Sequence, residues 1–289
     1  MEKNELRVKI YSKIDELPTL PAVIPKLLSL MESTTSDVSS VTEAISRDPA
    51  LTSKILKVAN SAYYGFPQGI TDLKRAVALL GFNMVKSLAL SIGVLRSLPQ
   101  GQKTSLFSQE ELWFHSVAVA TAMKEMGRKY GQGNDHEYLF IVGLLHDIGM
   151  VVLDQFFSEL FEKALEEART QERREFYLAE RRVIGFDHGE VGAMLLERWR
   201  FPEVISSLIA VHHQPEIQEG PDITDIAMLR IADALSHELD PKKEAPPMPL
   251  EIQDADLKAL HMKEKDIDDL KAYLHDEKDG INAFFNTMI

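Results

Sequence analysis

The chain of 289 residues has no cysteine. That absence excludes disulfides, thiolate metal sites and cysteine nucleophiles together. It is compatible with a cytoplasmic protein, and a cytoplasmic location is expected. Positive charge is scarce too: 32 Lys and Arg stand against 45 Asp and Glu, a formal net charge of −13. Bulk binding to DNA or RNA draws most of its affinity from a basic face, so no bulk nucleic acid is expected as a partner. A local basic pocket for a nucleotide phosphate is still compatible with this balance. Long hydrophobic runs are missing. The longest apolar stretch, Tyr138 to Leu153, is interrupted by His146 and Asp147 and is short for a membrane span. It reads as a buried helix of a soluble protein, with no membrane association. Residues Met1 to Arg7 lack the apolar centre of a signal peptide, and no alternating apolar-polar stretch is long enough to indicate a strand.

What remains is helical. A composition of 45% hydrophobic and 27% charged residues is that of a globular protein, and apolar residues recur at helical spacing throughout. Asp48-Pro49 is a start signal, an acidic cap followed by proline in the first turn. The helix it opens should end near Asn60-Ser61. Another should run from about Thr71 to Gly81, whose glycine suits a C-terminal cap, and a long apolar one from about Asn83 to Leu98. The breaker-rich connector Pro99 to Ser105 marks a boundary between two lobes, residues 1–105 and 106–240. An acidic helical tail, 241–289, follows. Ser108 with Glu111 three residues later has capping-box spacing and launches the helix bearing His115. Further helices are expected over about 136–154, 156–184, 187–199, 202–213 and 222–239, with two short ones near 253–262 and 264–275. The expectation is an all-α, two-lobed helical bundle.

Within the second lobe, ionisable residues interrupt apolar helix faces. His115 continues the stripe of Leu112, Val119 and Ala122. His146-Asp147 breaks the most apolar segment of the chain. His212 continues Ile205, Leu208 and Ile209, with His213 about 100° further round. Asp233 lies one turn beyond Leu229. Buried imidazoles and carboxylates must be paired, neutralised or metal-bound, and together they form a ligand set for one or two divalent transition metals. Four helices offering inward N and O donors can converge them on one centre. His136, His237, His261 and His275, in polar surroundings, read as surface residues.

The order His … His-Asp … His … His-His … Asp resembles the HD superfamily of helical metal-dependent phosphohydrolases, and Leu144 to Gly149 (Leu-Leu-His-Asp-Ile-Gly) is similar to its core motif. The first lobe narrows the likeness. Leu17-Pro18-Thr19-Leu20-Pro21, Ile45 to Leu51, Ala59 to Gly65 and Ala76 to Gly81 resemble the HDOD domain, an HD-related bacterial signalling module, over roughly residues 10–240.

The resemblance implies metal ligands at His115, His146, Asp147, His188, His212, His213 and Asp233, with Asp147 as the bridging carboxylate if two ions bind. Iron, manganese, zinc or nickel would all suit these donors. Asp147 and Glu190 are the candidate catalytic residues, Glu190 as a base beside the ligands or merely a first-turn acid favoured by the helix dipole. Glu111 could join the ligands or simply serve the capping box. HDOD domains are generally regarded as catalytically degenerate, yet this chain keeps nearly the whole ligand set.

Two departures argue against cleavage of cyclic di-GMP. Met150 stands where the HD-GYP phosphodiesterases usually have lysine. Gln214-Pro215-Glu216 follows the paired histidines where those enzymes carry their Gly-Tyr-Pro signature. The implied role is that of a signalling or regulatory protein with a retained metal site. Its partner would be a protein of a signalling pathway or a small phosphorylated or nucleotide ligand. The alternative is an active phosphohydrolase or phosphodiesterase acting on a nucleotide or other phosphate ester. Tyr63-Tyr64-Gly65-Phe66 could offer aromatics to a partner or pin the lobes together.

Overall fold

The computed structural model describes residues 3–17, 19–31, 38–131, 138–170, 176–214, 223–239 and 252–288. Among these the secondary structure is entirely helical, as the periodicity predicts. The proline-rich stretch Lys242 to Pro249, which by sequence reads as a loop, Asp37, which by sequence could cap the following helix, and His136 lie outside the described residues.

The first part of the chain contains α1 (Lys3–Asp15), α2 (Val23–Met31), α3 (Val38–Ser46), α4 (Pro49–Ala59), α5 (Leu73–Leu80) and α6 (Phe82–Ser97). The start signal at Asp48 works as expected, its side chain accepting from the Leu51 N–H, and the structure shows Asp72 accepting from the Arg75 N–H in the same way at the start of α5. Gly81 adopts φ 91°, a left-handed value that glycine tolerates without strain, and there the chain turns 117° from α5 into α6.

After the connector come α7 (Gln109–Tyr130), α8 (Tyr138–Leu145), α9 (Ile148–Thr170), α10 (Phe176–Val183), α11 (His188–Arg198), α12 (Glu203–Val211) and α13 (Ile223–Ser236), which continues into a 3-10 turn at His237–Leu239. Last are α14 (Asp254–Ala259), α15 (Glu264–Asp276) and α16 (Lys278–Met288).

Three expectations need correction. The single helix foreseen over 136–154 is two, broken at His146-Asp147, and the one foreseen over 156–184 is divided between α9 and α10. Apolar periodicity continues through a break when both halves are buried, so spacing alone could not locate it. The tail carries a third helix, α16, whose Ile281, Phe284, Phe285 and Met288 are buried.

The elements interlock. α8 packs along α7, α11 lies on α9 and α12, and α13 returns against α7. α1 reaches across to α11, and α16 sits on both α4 and α7. The connector is clamped rather than loose. The buried Asp154 carboxylate of α9 accepts from the backbone N–H groups of Lys103 and Thr104, the latter at 2.8 Å. Tyr63 is half-buried, its hydroxyl 3.3 Å from Thr121 Oγ1 on α7 and its ring 5.2 Å from that of Phe284, so this aromatic joins α7 and α16 to the loop after α4. The stretch Tyr138–Thr170 is apolar enough to cross a membrane by composition, yet 94% of its most apolar window is buried inside the protein.

Candidate metal centre

The break between α8 and α9 places the His-Asp pair where both side chains turn inward. Two glycines permit the close packing around it. A Cβ on Gly149 would lie 1.9 Å from the His188 carbonyl oxygen, and one on Gly143 would lie 2.7 Å from Ala120 Cα. Glycine at these positions lets α9 meet the first turn of α11, and α8 meet α7, at backbone contact.

Around the break the other ligand candidates assemble. His115 comes from α7 and Asp233 from α13. His188 opens α11, and His212 and His213 follow the end of α12. The pair in the turn and the two residues past α12 are thus at helix ends rather than within helices. A helix end can turn adjacent side chains toward one point, which a continuous helix surface spreads apart.

Asp147 stands at the middle. Its Oδ2 is 3.2 Å from His146 Nε2, and its Oδ1 is 3.1 Å from His188 Nε2 and 3.6 Å from His212 Nε2. His213 Nε2 lies 2.7 Å from His188 Nε2. On the other side, Asp233 Oδ1 is 3.0 Å from His115 Nε2 and 4.0 Å from His146 Nε2. All seven side chains expected as ligands therefore converge. His146, Asp147, His188, His212 and Asp233 are each less than 5% exposed.

The orientation of the rings is fixed from behind. His146 Nδ1 is 2.8 Å from the Gly143 carbonyl oxygen and His212 Nδ1 is 2.7 Å from that of Ile209, contacts in which Nδ1–H donates. His188 Nδ1 is 2.5 Å from Glu180 Oε2. Each arrangement leaves Nε2 with its lone pair facing the centre, the usual way a metal-binding imidazole is oriented. At the front, His146 Nε2, His212 Nε2 and Asp147 Oδ1 are buried without a hydrogen-bond partner. Unsatisfied buried polar atoms of this kind are costly. Ligands of one ion at about 2.0–2.2 Å stand roughly 3–3.5 Å from each other, close to most of these separations. The donor set therefore fits a divalent ion, although His213 and His188 would have to open slightly to share one.

Burial alone would lower the pKa of His146 and His188, but Asp147 outweighs it at the first, and Glu180 with Asp147 at the second, so both imidazoles are held above their ordinary value. Burial alone would raise the Asp147 pKa, but His146 and His188 outweigh it and hold the carboxylate well below its ordinary range. Asp233 is likewise held low against burial, by His115 and His237. Burial, with His212 and His188 nearby, keeps His213 well below the usual imidazole value. Burial pushes Glu180 up to about 7, against the opposing pull of His188.

Two residues left between a site role and a helix-start role, Glu190 and Glu111, stand at helix starts. Glu190 accepts from the Asp187 N–H at 3.1 Å while Asp187 accepts from the Glu190 N–H at 2.8 Å, a capping box at the start of α11. Its carboxylate is committed there, so the first-turn reading of Glu190 replaces that of a base beside the ligands. Glu111 provides the N–H that Ser108 Oγ accepts, and it belongs to none of the ligand groups found among the described residues.

Two residues were missed. Glu180 is fully buried behind His188, but its neighbours Arg181 and Arg182 gave its segment a polar look. His237, assigned to the surface, has a side chain only 14% exposed, with Nε2 3.4 Å from Asp233 Oδ1. Its i+4 spacing from Asp233 was the available signal. His261 and His275 are exposed, as expected.

A sequence model of the HDOD domain matches residues 17–215. The chain belongs to the HDOD domain family. A protein of Treponema pallidum (strain Nichols), described as uncharacterized, is 28% identical over 214 residues, 73% of this chain; the match spans only 40% of that protein's length. Among solved structures, a candidate signal transduction protein from Marinobacter aquaeolei VT8 superposes with a TM-score of 0.80 at 21% identity, covering 99% of this chain and 66% of the other. A candidate phosphohydrolase from Shewanella amazonensis SB2B superposes with a TM-score of 0.74 at 23% identity, over 97% of this chain and 98% of its own. At these identities the structural likeness establishes the shared fold.

Proposed function

We propose that this chain is a regulatory HDOD protein of bacterial signalling type, working in the cytoplasm, whose second lobe retains a divalent-metal centre. The carrying observation is the set of buried donor atoms left unpaired at His146, His212 and Asp147, behind which hydrogen bonds already orient the rings. His115, His188, His213 and Asp233 complete the ligand set, and iron, manganese, zinc or nickel would be accommodated. Burial of the ligands favours a regulatory centre, because a catalytic metal site keeps an open coordination position. In this reading the centre biases the packing of the helices around it, and a protein partner or a small phosphorylated ligand reads the outcome.

The second reading, a phosphohydrolase, is favoured by one feature. The two oxygens of Asp147 face different groups, His146 on one side and His188 with His212 on the other. That is where a carboxylate bridging two ions would stand. When bound, such ions would activate water and polarise a phosphate ester, while Asp147 and the histidines would hold the geometry. Met150, buried at 1% exposure, offers no cation to a phosphate.

Elemental analysis of untagged protein tests the metal reading: near-stoichiometric Fe, Mn, Zn or Ni is expected, and its loss in His146→Ala and Asp147→Ala. Metal-free wild-type protein would sink it. A phosphatase and phosphodiesterase screen separates the two readings, since only the second expects turnover abolished by both substitutions.

A further inference from the structure

Resting on the metal reading above, we propose that His237 is a metal ligand, completing with His115 and Asp233 a second cation position beside the one at Asp147, His188, His212 and His213. The three donor atoms lie within 4.8 Å of one another, as do those of the Asp147 group. His115 Nε2 and His237 Nε2 address the same oxygen, Asp233 Oδ1, at 3.0 and 3.4 Å. These are separations that two ligands of one ion adopt.

The His115 contact is poor as a hydrogen bond. Both ring nitrogens of His115 are buried and unpaired despite the short approach of Nε2 to the carboxylate, so the lone pair points beside the oxygen rather than at it. His115 itself is only 9% exposed. A structural His-Asp pair needs one imidazole. Here two rings stand 4.2 Å apart, centroid to centroid, around one carboxylate, and a third, His146, approaches the same oxygen at 4.0 Å. Three imidazoles crowded on one buried carboxylate oxygen are more than a hydrogen-bonded pair requires, and a cation between the rings would give each of them a partner.

His237 owes its position to the end of α13. The helix gives way to a 3-10 turn at His237, four residues beyond Asp233, so both side chains project from one face. The outer position is nitrogen-rich, with two or three imidazoles to one carboxylate oxygen, and such a set suits zinc, nickel or iron better than magnesium or calcium.

The test uses Co²⁺ as the probe, added to metal-free wild-type, His237→Gln and His237→Ala proteins. Binding stoichiometry is read by calorimetry and coordination by visible absorption. Two equivalents are expected for the wild type. In both variants one equivalent should weaken about 10-fold or more, or be lost, with a changed ligand-field spectrum and helicity preserved. Variants that match the wild type in stoichiometry, affinity and spectrum would overturn the role of His237 and leave the metal centre standing. A wild type that takes up no Co²⁺ would overturn both.

Discussion

Glu180 shows how much a residue can matter without facing the site's interior. Its carboxylate, wholly buried, meets both the backbone N–H and the ring Nδ1 of His188. It thereby decides which nitrogen of that ring is free to coordinate. Partners of this kind commonly change metal affinity 10- to 100-fold when removed. Glu180→Gln should therefore lower affinity by about 10-fold or more in a chelator-competition titration, with little change in circular dichroism. Equal affinity would mean that His188 is oriented by packing alone. Phe176, stacked on the His188 ring at 5.9 Å, is the packing element that could do so. At this scale the sequence was informative about which side chains turn inward, because a histidine inside an apolar stripe is conspicuous. It was silent about Glu180, because an acid beside two arginines reads as solvated surface.

Among the elements, the junction of α8 and α9 sets the site. Helix interruption at His146-Asp147 aims two adjacent side chains into the bundle, and Gly149 lets the first turn of α9 touch the start of α11. Gly149→Ala would force a Cβ to within 1.9 Å of a backbone oxygen, and neither helix can yield without moving Asp147 or His188. We expect a destabilisation of at least about 2 kcal/mol, read as a lower denaturant midpoint, together with loss of bound metal. A variant as stable as the parent would show that the two helices separate freely. Further from the site, Asp48 caps α4 and also approaches Arg96 at 3.4 Å. Asp48→Ala should cost about 1 kcal/mol and leave metal content unchanged, which makes it a control for instability alone.

For the whole molecule, the candidate ligands come from α7, the α8–α9 turn, α11, the end of α12 and α13, elements spread over more than a hundred residues of chain. An ion held by all of them would crosslink these helices and stabilise the folded state by mass action, by about 2.7 kcal/mol when the metal is at 100 times its dissociation constant. Chelation should therefore lower the melting temperature, and re-addition should restore it. A melting temperature indifferent to chelator would mean that the folded and unfolded chains bind metal equally or not at all. The C-terminal helix is a second whole-molecule device. It lies beyond the matched family segment, yet Phe284 is fully buried against the rings of Tyr63 and Phe140. Phe284→Ala should cost about 3–5 kcal/mol, measured by chemical denaturation. A cost under 1 kcal/mol would show α16 to be an appendage.

The helical class, the cap at Asp48, the turn at Gly81 and all seven ligand candidates were legible in the amino-acid sequence. Each depends on local rules: 3.6-residue periodicity, a short polar side chain at a helix start, positive φ at glycine, an ionisable group out of place on an apolar face. Local rules carry no information about which distant faces meet. Only the tertiary structure could decide that the most apolar helix breaks at its His-Asp pair, that Glu180 stands behind His188, and that His237 turns inward to Asp233. Those facts depend on contacts between segments far apart in the chain, where burial and close approach are set by packing.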